Sequence, residues 1–295
     1  MLIVQVFNGL MEGMMLFLIA SGLTLIFGVS RIINFAHGSF YMLGAFLVYQ
    51  FLPFLFDGTL AGFVIAVIGG ALVVAAIGWL FERVFLRHIY QSNELMQLII
   101  TVALVLIIRD AVRLLWGSND VVVSMPPELS NAIEISGSYF PVFQFAIFGV
   151  GLFVLFMMVA IIRFTRAGVL LRAATDDRGM VALLGVNQGR VFAAVFTAGS
   201  FLAGLAGGLA APFGDINYLL DTNVILEAFI VVVIGGLGNL WGALAGAIAV
   251  GVLKSLGVLY FPRFAMVLIF VIMAAVLVVR SMNLFRNESR GLGEL

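Results

Sequence analysis

The chain has 295 residues, 63% of them hydrophobic and 10% charged, with 28 Phe, 33 Gly and no Cys. Soluble domains carry roughly 25% charged residues, so this composition is too poor in charge to clothe a water-facing surface, and its solvent is lipid. Basic and acidic residues balance at 15 each, which removes the electrostatic ground for a nucleic-acid partner; the missing cysteines exclude disulfides, thiolate metal sites and a Cys nucleophile.

A helix needs about 20 apolar residues to cross a bilayer. In chain order, such runs occupy 5–29, 36–56, 60–81, 95–116, 141–163, 190–212, 238–260 and 264–281, and a shorter run, 223–236, lies between Asp221 and a glycine cluster. No basic segment or small-residue cleavage site frames the first run, so it is expected to stay as a spanning helix. Barrel strands alternate apolar and polar residues, and these runs do not. The expected fold class is all-α, a polytopic membrane protein of about nine helices, or eight if one is a half-helix. Residues 1–295 are expected to form a single transmembrane domain.

Arginines orient it. Loop 82–94 holds Arg83 and Arg87; loop 164–190, with Arg163 at its edge, holds Arg166, Arg172, Arg178 and Arg190; the tail 282–295 holds Arg286 and Arg290. Loop 117–140 carries Asp120, Glu128 and Glu134 and no cation. Basic loops stay on the cytoplasmic side, which predicts an external N-terminus, an external loop 117–140, a cytoplasmic loop 164–190 and a cytoplasmic tail. An even number of crossings must separate that loop from the tail, so the short run 223–236 is expected to cross as well.

The cytoplasmic loop contains "TDDRGMVALLG", which predicts a short helix. Thr175 suits its N-cap, Asp176 and Asp177 favour the positive end of the helix dipole, and Gly185 can close its C-terminus. Met180, Val181, Leu183 and Leu184 give it an apolar side, for a partner surface or for lipid. Gly179 in its interior costs about 1 kcal/mol relative to Ala, so it needs something to pack on.

Two polar, glycine-bearing breaks interrupt the oil. The first is "INFAHGSFYMLGAF" at 33–46 and the second "IGGLGNLWGALAGA" at 234–247; Gly38 and Gly238, Tyr41 and Trp241, Ala45 and Ala245 share an offset that hints at an internal repeat. Irregular backbone inside a membrane survives only where protein encloses it or water wets it. Asn34, His37, Gly38 and Ser39 in the first break, and Gly235, Gly236, Gly238, Asn239 and Trp241 in the second, are therefore the candidate pathway or gate residues. The competing reading has Asn34 and His37 satisfy neighbouring backbone and fix one helix against another. Glu12, Glu227 and Lys254 also fall inside apolar runs, where they pair with one another, snorkel, or face a partner. Arg109, Asp110 and Arg113 read as a structural set, with Asp110 placed to neutralise Arg113.

No enzyme signature is present. Gly246 and Gly251 have P-loop spacing, but Val252 and Leu253 separate them from Lys254 and Ser255. His37 and His88 are not spaced as metal ligands, and no nucleophile elbow occurs. The chain is expected to need no metal or cofactor and to hydrolyse no ATP itself.

"GLTLIFGVSRIINFAHGSFYMLGAF" (22–46), "LLRAATDDRGMVALLGVN" (170–187) and "VVIGGLGNLWGALAGAI" (232–248) together resemble the permease subunits of branched-chain amino acid ABC importers, the H-type subunit more than its longer M-type partner. The likeness runs over almost the whole chain. Gly179 departs from the acidic or bulkier residue such a helix would carry. The resemblance implies an inner-membrane permease paired with a second, M-type-like permease, two cytoplasmic ATP-binding subunits and a periplasmic solute-binding protein. It makes Thr175, Asp176, Asp177, Val181, Leu184 and Gly185 the ATPase-coupling residues. It leaves the solute open among branched-chain amino acids, urea, short amides and other small acids. From the residues alone, a secondary transporter or channel remains the rival.

Overall fold

The computed structural model describes residues 2–55, 59–90, 92–135, 137–176, 178–183 and 185–260, with isolated positions between 262 and 278. The last predicted span, 264–281, falls mostly outside the described residues; the tail 282–295, Asp177 and Leu184 lie wholly outside them.

The chain is helical, as its apolar runs require. In order come α1 (Leu2–Ser30), α2 (Ala36–Phe51), α3 (Leu60–Val84), α4 (Glu94–Trp116), α5 (Val142–Phe164), α6 (Arg166–Asp176), α7 (Arg178–Leu183), α8 (Gln188–Ala210), α9 (Leu220–Gly235) and α10 (Leu240–Tyr260). Five of them, α1, α3, α5, α8 and α10, are long and apolar enough to cross a membrane. Between α4 and α5 the sequence reading missed a small hairpin, in which β1 (Ala132–Ile135) pairs antiparallel with β2 (Ser138–Pro141), Ile133 opposite Phe140. A bridge between Val121 and Ile216 ties the same loop to the segment after α8.

A helix that is apolar all round belongs in the interior, and α1 is that helix. Its centre, Phe17 to Ala20, is fully enclosed, with α10, α8, α5 and α9 packed around it. Without a hydrophobic drive between helices in lipid, close backbone approach supplies the cohesion. A Cβ on Gly13 would lie 2.8 Å from the Ala247 carbonyl oxygen in α10, and one on Gly44 of α2 would strike the Gly204 backbone of α8.

The start of α2 is where the structure departs from the hydropathy reading. Beyond Ser30 the chain leaves the helix, with Arg31 at φ 53. Residues 31–35 then turn back beside α1, because His37 hydrogen-bonds the Ile19 carbonyl oxygen at 2.9 Å. Ile19 stands about 16 Å from the end of α1 at 1.5 Å per residue. So α2 starts beside the middle of α1 and not beside its C-terminal end. With 16 residues each, α2 and α9 are both shorter than a full span.

Candidate functional site

The first break is held by its own polar groups. The Ala36 N–H donates to Asn34 Oδ1 at 3.1 Å, so Asn34 closes the open start of α2. A carbonyl only accepts, so His37 Nε2 carries the proton that it gives to Ile19. Both side chains are fully buried, yet Asn34 Nδ2 and His37 Nδ1 have no hydrogen-bond partner among the described residues. Packing and pathway readings thus each keep an atom: one end of each side chain is fixed, and the other is uncommitted.

Just beyond lies a charge network that the sequence reading missed. Ser39 Oγ donates to Asp221 Oδ2 at 2.9 Å, while Arg109 Nη2 reaches Asp221 Oδ1 and Thr222 Oγ1, each at 2.8 Å. The starts of α2 and α9 meet here. A Cβ on Gly38 would lie 2.5 Å from the Asp221 carbonyl oxygen and 2.8 Å from Ile225 Cβ, so only glycine permits the approach. Asp221 occupies the first turn of α9, where the helix dipole favours an anion. Its carboxylate is buried and draws on a dipole, a guanidinium and two hydroxyls. Arg109 was expected to belong with Asp110 and Arg113; its partner instead comes from 112 positions away.

The second break sits against the C-terminal end of α1. Gly236 (φ 94) and Gly238 (φ 81) make the turn between α9 and α10, and Asn239 Oδ1 accepts from the Gly242 N–H at 3.1 Å to start α10. A Cβ on Gly235 would strike the Gly242 carbonyl, and one on Gly238 would lie 2.9 Å from Gly28 Cα in α1. Trp241 is 58% exposed. The two breaks both adjoin α1, one beside Ile19 and the other beside Gly28, about 13 Å apart along its axis. Gly238→Leu is expected to abolish uptake, because it adds left-handed backbone strain of about 1–2 kcal/mol to a clash with Gly28. Radiolabelled-solute uptake by the assembled transporter checks this.

In the predicted cytoplasmic loop there are two helices where one was expected: α7 lies within the expected stretch, and α6 precedes it and ends there. The Gly168 N–H donates to Thr165 Oγ1 at 3.1 Å, making Thr165 the cap of α6. Thr175 lies in the last turn, where its hydroxyl donates to the Leu171 carbonyl at 2.9 Å. It is not an N-cap, because α6 runs on through it to Asp176. Asp176 ends α6, and Gly185 at φ 78 follows α7, with the Val186 N–H reaching back to the Val181 carbonyl. Val181 is buried within the chain, whereas Leu183 is 83% exposed. The apolar surface that α7 offers outward therefore includes Leu183 and not Val181. Ala174 of α6 packs with Val29, Phe192 and Val195 on the ends of α1 and α8, and Arg31 Nη2 donates to the Thr175 carbonyl at 3.4 Å. That bond links the first break directly to α6. Thr24, Thr175 and Gly238 line a cavity of about 200 Å³, so α6 adjoins the second break too.

Among the described residues, Glu12, Glu227 and Lys254 pair with one another. Lys254 Nζ of α10 lies 2.6 Å from Glu12 Oε1 of α1 and 2.8 Å from Glu227 Oε1 of α9. Replacing Lys254 with Met leaves two carboxylates in a poor solvent for charge. The yield of assembled protein is expected to fall, and Glu12→Gln in the same chain should recover part of it, as read by size-exclusion chromatography.

These long apolar helices, with charges paired among them, define a polytopic membrane protein. The chain belongs to the family described as the branched-chain amino acid transport system permease component, whose model matches residues 5–277. It is 33% identical over 267 residues to the high-affinity branched-chain amino acid transport system permease protein LivH of Salmonella typhimurium, covering 87% of this chain and 86% of that one. It is 30% identical over 261 residues to the permease protein BraD of Pseudomonas aeruginosa, covering 86% and 85%. A probable LivH of Methanocaldococcus jannaschii is 26% identical over 260 residues. No solved structure matches.

Proposed function

We propose that the chain is the H-type permease subunit of an ATP-driven importer of leucine, isoleucine and valine. It works with an M-type-like second permease, two ATP-binding subunits and a solute-binding protein, in the inner membrane with its N-terminus outside and C-terminus inside. The relatives' names supply the solute class, and the arginine distribution supports the orientation.

The observation that carries the coupling is the bond from Arg31 to the Thr175 carbonyl. A helix pair presenting Leu183 outward is thereby tied to an interruption whose far end, at His37, lies beside Ile19. A push on α6–α7 from an ATPase reaches the break through packed helices and one hydrogen bond. The response is a shift of α2 and α9, whose short lengths and glycine contacts let them move against α1 and α8. Asn34, His37, Gly38 and Ser39 then border the solute path on one side, and Gly235, Gly236, Gly238 and Asn239 form the cytoplasmic gate. Trp241 stands at its margin. The coupling contact is made by the stretch Thr175 to Gly185, with Leu183 as its anchor in a helix-in-groove mode.

Reconstitution tests this reading. Proteoliposomes holding the complete transporter, its binding protein and ATP should accumulate labelled leucine, and the isolated chain should accumulate nothing. Uptake by the isolated chain driven by an ion gradient would make it a secondary transporter. ATP-driven uptake of urea or short amides in place of leucine would keep the mechanism and change the solute. Within this reading, His37→Ala is expected to change uptake kinetics with assembly intact; reduced assembly with normal kinetics would assign His37 to packing.

A further inference from the structure

The arginines that orient the chain also build a surface that transport leaves unused. Leu72, Ala75, Trp79, Arg83 and Arg87 follow one another at three- and four-residue steps along α3 and the turn after it, so one stripe changes from apolar to basic at its end. On α8, Arg190, Ala194, Thr197 and Phe201 form a second stripe of the same period. Between them, with Met158 and Ile162 of α5 and Leu170 of α6 behind, runs an apolar groove of about 940 Å³. Leu72 and Ile161 on its walls are exposed, so it opens sideways. Arg190 is its one charged lining residue, and the Thr197 hydroxyl is spent on the Ala193 carbonyl at 2.7 Å.

At its basic end the groove joins a cleft of about 310 Å³, with which it shares Trp79, Arg190 and Ala193. Arg83, Arg87 and Arg190 converge there. Arg83 lies over the Trp79 ring at 5.2 Å, and Gly189 lets Arg87 approach the first turn of α8, since a Cβ there would be 3.4 Å from Arg87 Nε. Glu82 is the one carboxylate lining the cleft; it is buried and accepts from the Tyr90 hydroxyl at 2.9 Å. Among the described residues, none of the three arginines forms an ion pair within 4.0 Å. Three guanidinium groups against one carboxylate leave a positive excess at an aromatic-marked interface.

We propose that the cleft and groove together bind an anionic phospholipid, with the phosphate headgroup on Arg83, Arg87 and Arg190 and the acyl chains along the groove. The occupant follows from charge and shape. A free anion explains the arginines but not the groove, and an apolar helix explains the groove but not the arginines. A molecule with an anionic head and long apolar tails satisfies both, and basic pockets between helices on the cytoplasmic side suit such headgroups. Guanidinium pairs well with phosphate through parallel hydrogen bonds. Leu170 and Leu171 of α6 form part of the wall, so bound lipid also braces the segment that adjoins both breaks. None of this depends on the solute carried.

The test uses the complete transporter, extracted in mild detergent from membranes of phosphatidylethanolamine, phosphatidylglycerol and cardiolipin, and read by native mass spectrometry. Wild-type protein should retain phosphatidylglycerol or cardiolipin in preference to phosphatidylethanolamine. R83Q/R87Q/R190Q should lower that retention about tenfold or more, as loss of the charged headgroup contacts requires, while R83K/R87K/R190K keeps most of it. Ala194→Trp fills the groove without touching the arginines and should lower retention as well. Equal retention by the glutamine variant overturns the proposal. Displacement of the anionic lipid by inorganic phosphate, with Ala194→Trp unaffected, overturns it in favour of a free-anion site. Cross-linking of the groove to the second permease with no lipid retained overturns it in favour of a subunit interface.

Discussion

Asp221→Ala is expected to destabilise the folded chain by about 3–5 kcal/mol, the usual effect of removing one partner of a buried ion pair. The substitution strands the Arg109 guanidinium, takes the acceptor from Ser39, and removes the anion that both short helices face with their N-terminal ends. Assembled transporter should become scarce in membranes and lose its thermal transition by fluorescence-detected chromatography. The damage comes chiefly from an uncompensated charge, so Arg109→Met in the same chain should restore much of the yield. If Asp221→Ala assembles and melts like wild type, the network does not hold α2 and α9 together.

Leu183→Asp should separate ATP hydrolysis from transport while leaving the permease inserted. Leu183 is the large apolar side chain that α7 exposes most, so a charge there spares the chain's own core. Burying an aspartate without a partner against an ATPase groove costs several kcal/mol, enough to weaken that contact by orders of magnitude. ATPase activity should persist at a basal rate, and solute-stimulated uptake should fall to background. Unaltered uptake would move the coupling contact elsewhere.

How much of this was legible in the residues differs by scale. The helices were, because lipid forces apolar runs of a fixed length, and α1, α3, α5, α8 and α10 lie close to where those runs do. The second break was also legible, since Gly236 and Gly238 take φ values that favour glycine and Asn239 starts the next helix. The place where α2 begins was not. The run 36–56 is long enough for a full span, but hydropathy records only what is oily and not which part of α1 the next helix starts against. Residues 31–35 spend that length running back beside α1. Long-range pairing was hidden for the same reason: Asp110 stands next to Arg109, and nothing local marks Asp221 as the true partner. For Lys254, Glu12 and Glu227 the residues left pairing, snorkelling and a partner all open, and the structure pairs them. Thr175 failed as a cap because a helix begun at Thr165 continues through it, and nothing local to Thr175 marks that earlier start.

The claim on which the rest turns is that the break at residues 34–39 borders the solute path and moves with the ATPase. The chain has no cysteine, so Ser39→Cys is the one thiol it contributes, and labelling is read on this subunit's band. In the complete transporter, a membrane-impermeant maleimide should label that thiol readily in one nucleotide state and about tenfold more slowly or worse in the other, since a gate that moves changes access. Leu106→Cys, at an exposed apolar position on α4, should stay unlabelled in both states and so calibrate the measurement. State-dependent labelling of Ser39→Cys is the expected result; a thiol that stays as silent as the Leu106 control in every nucleotide state would contradict the account.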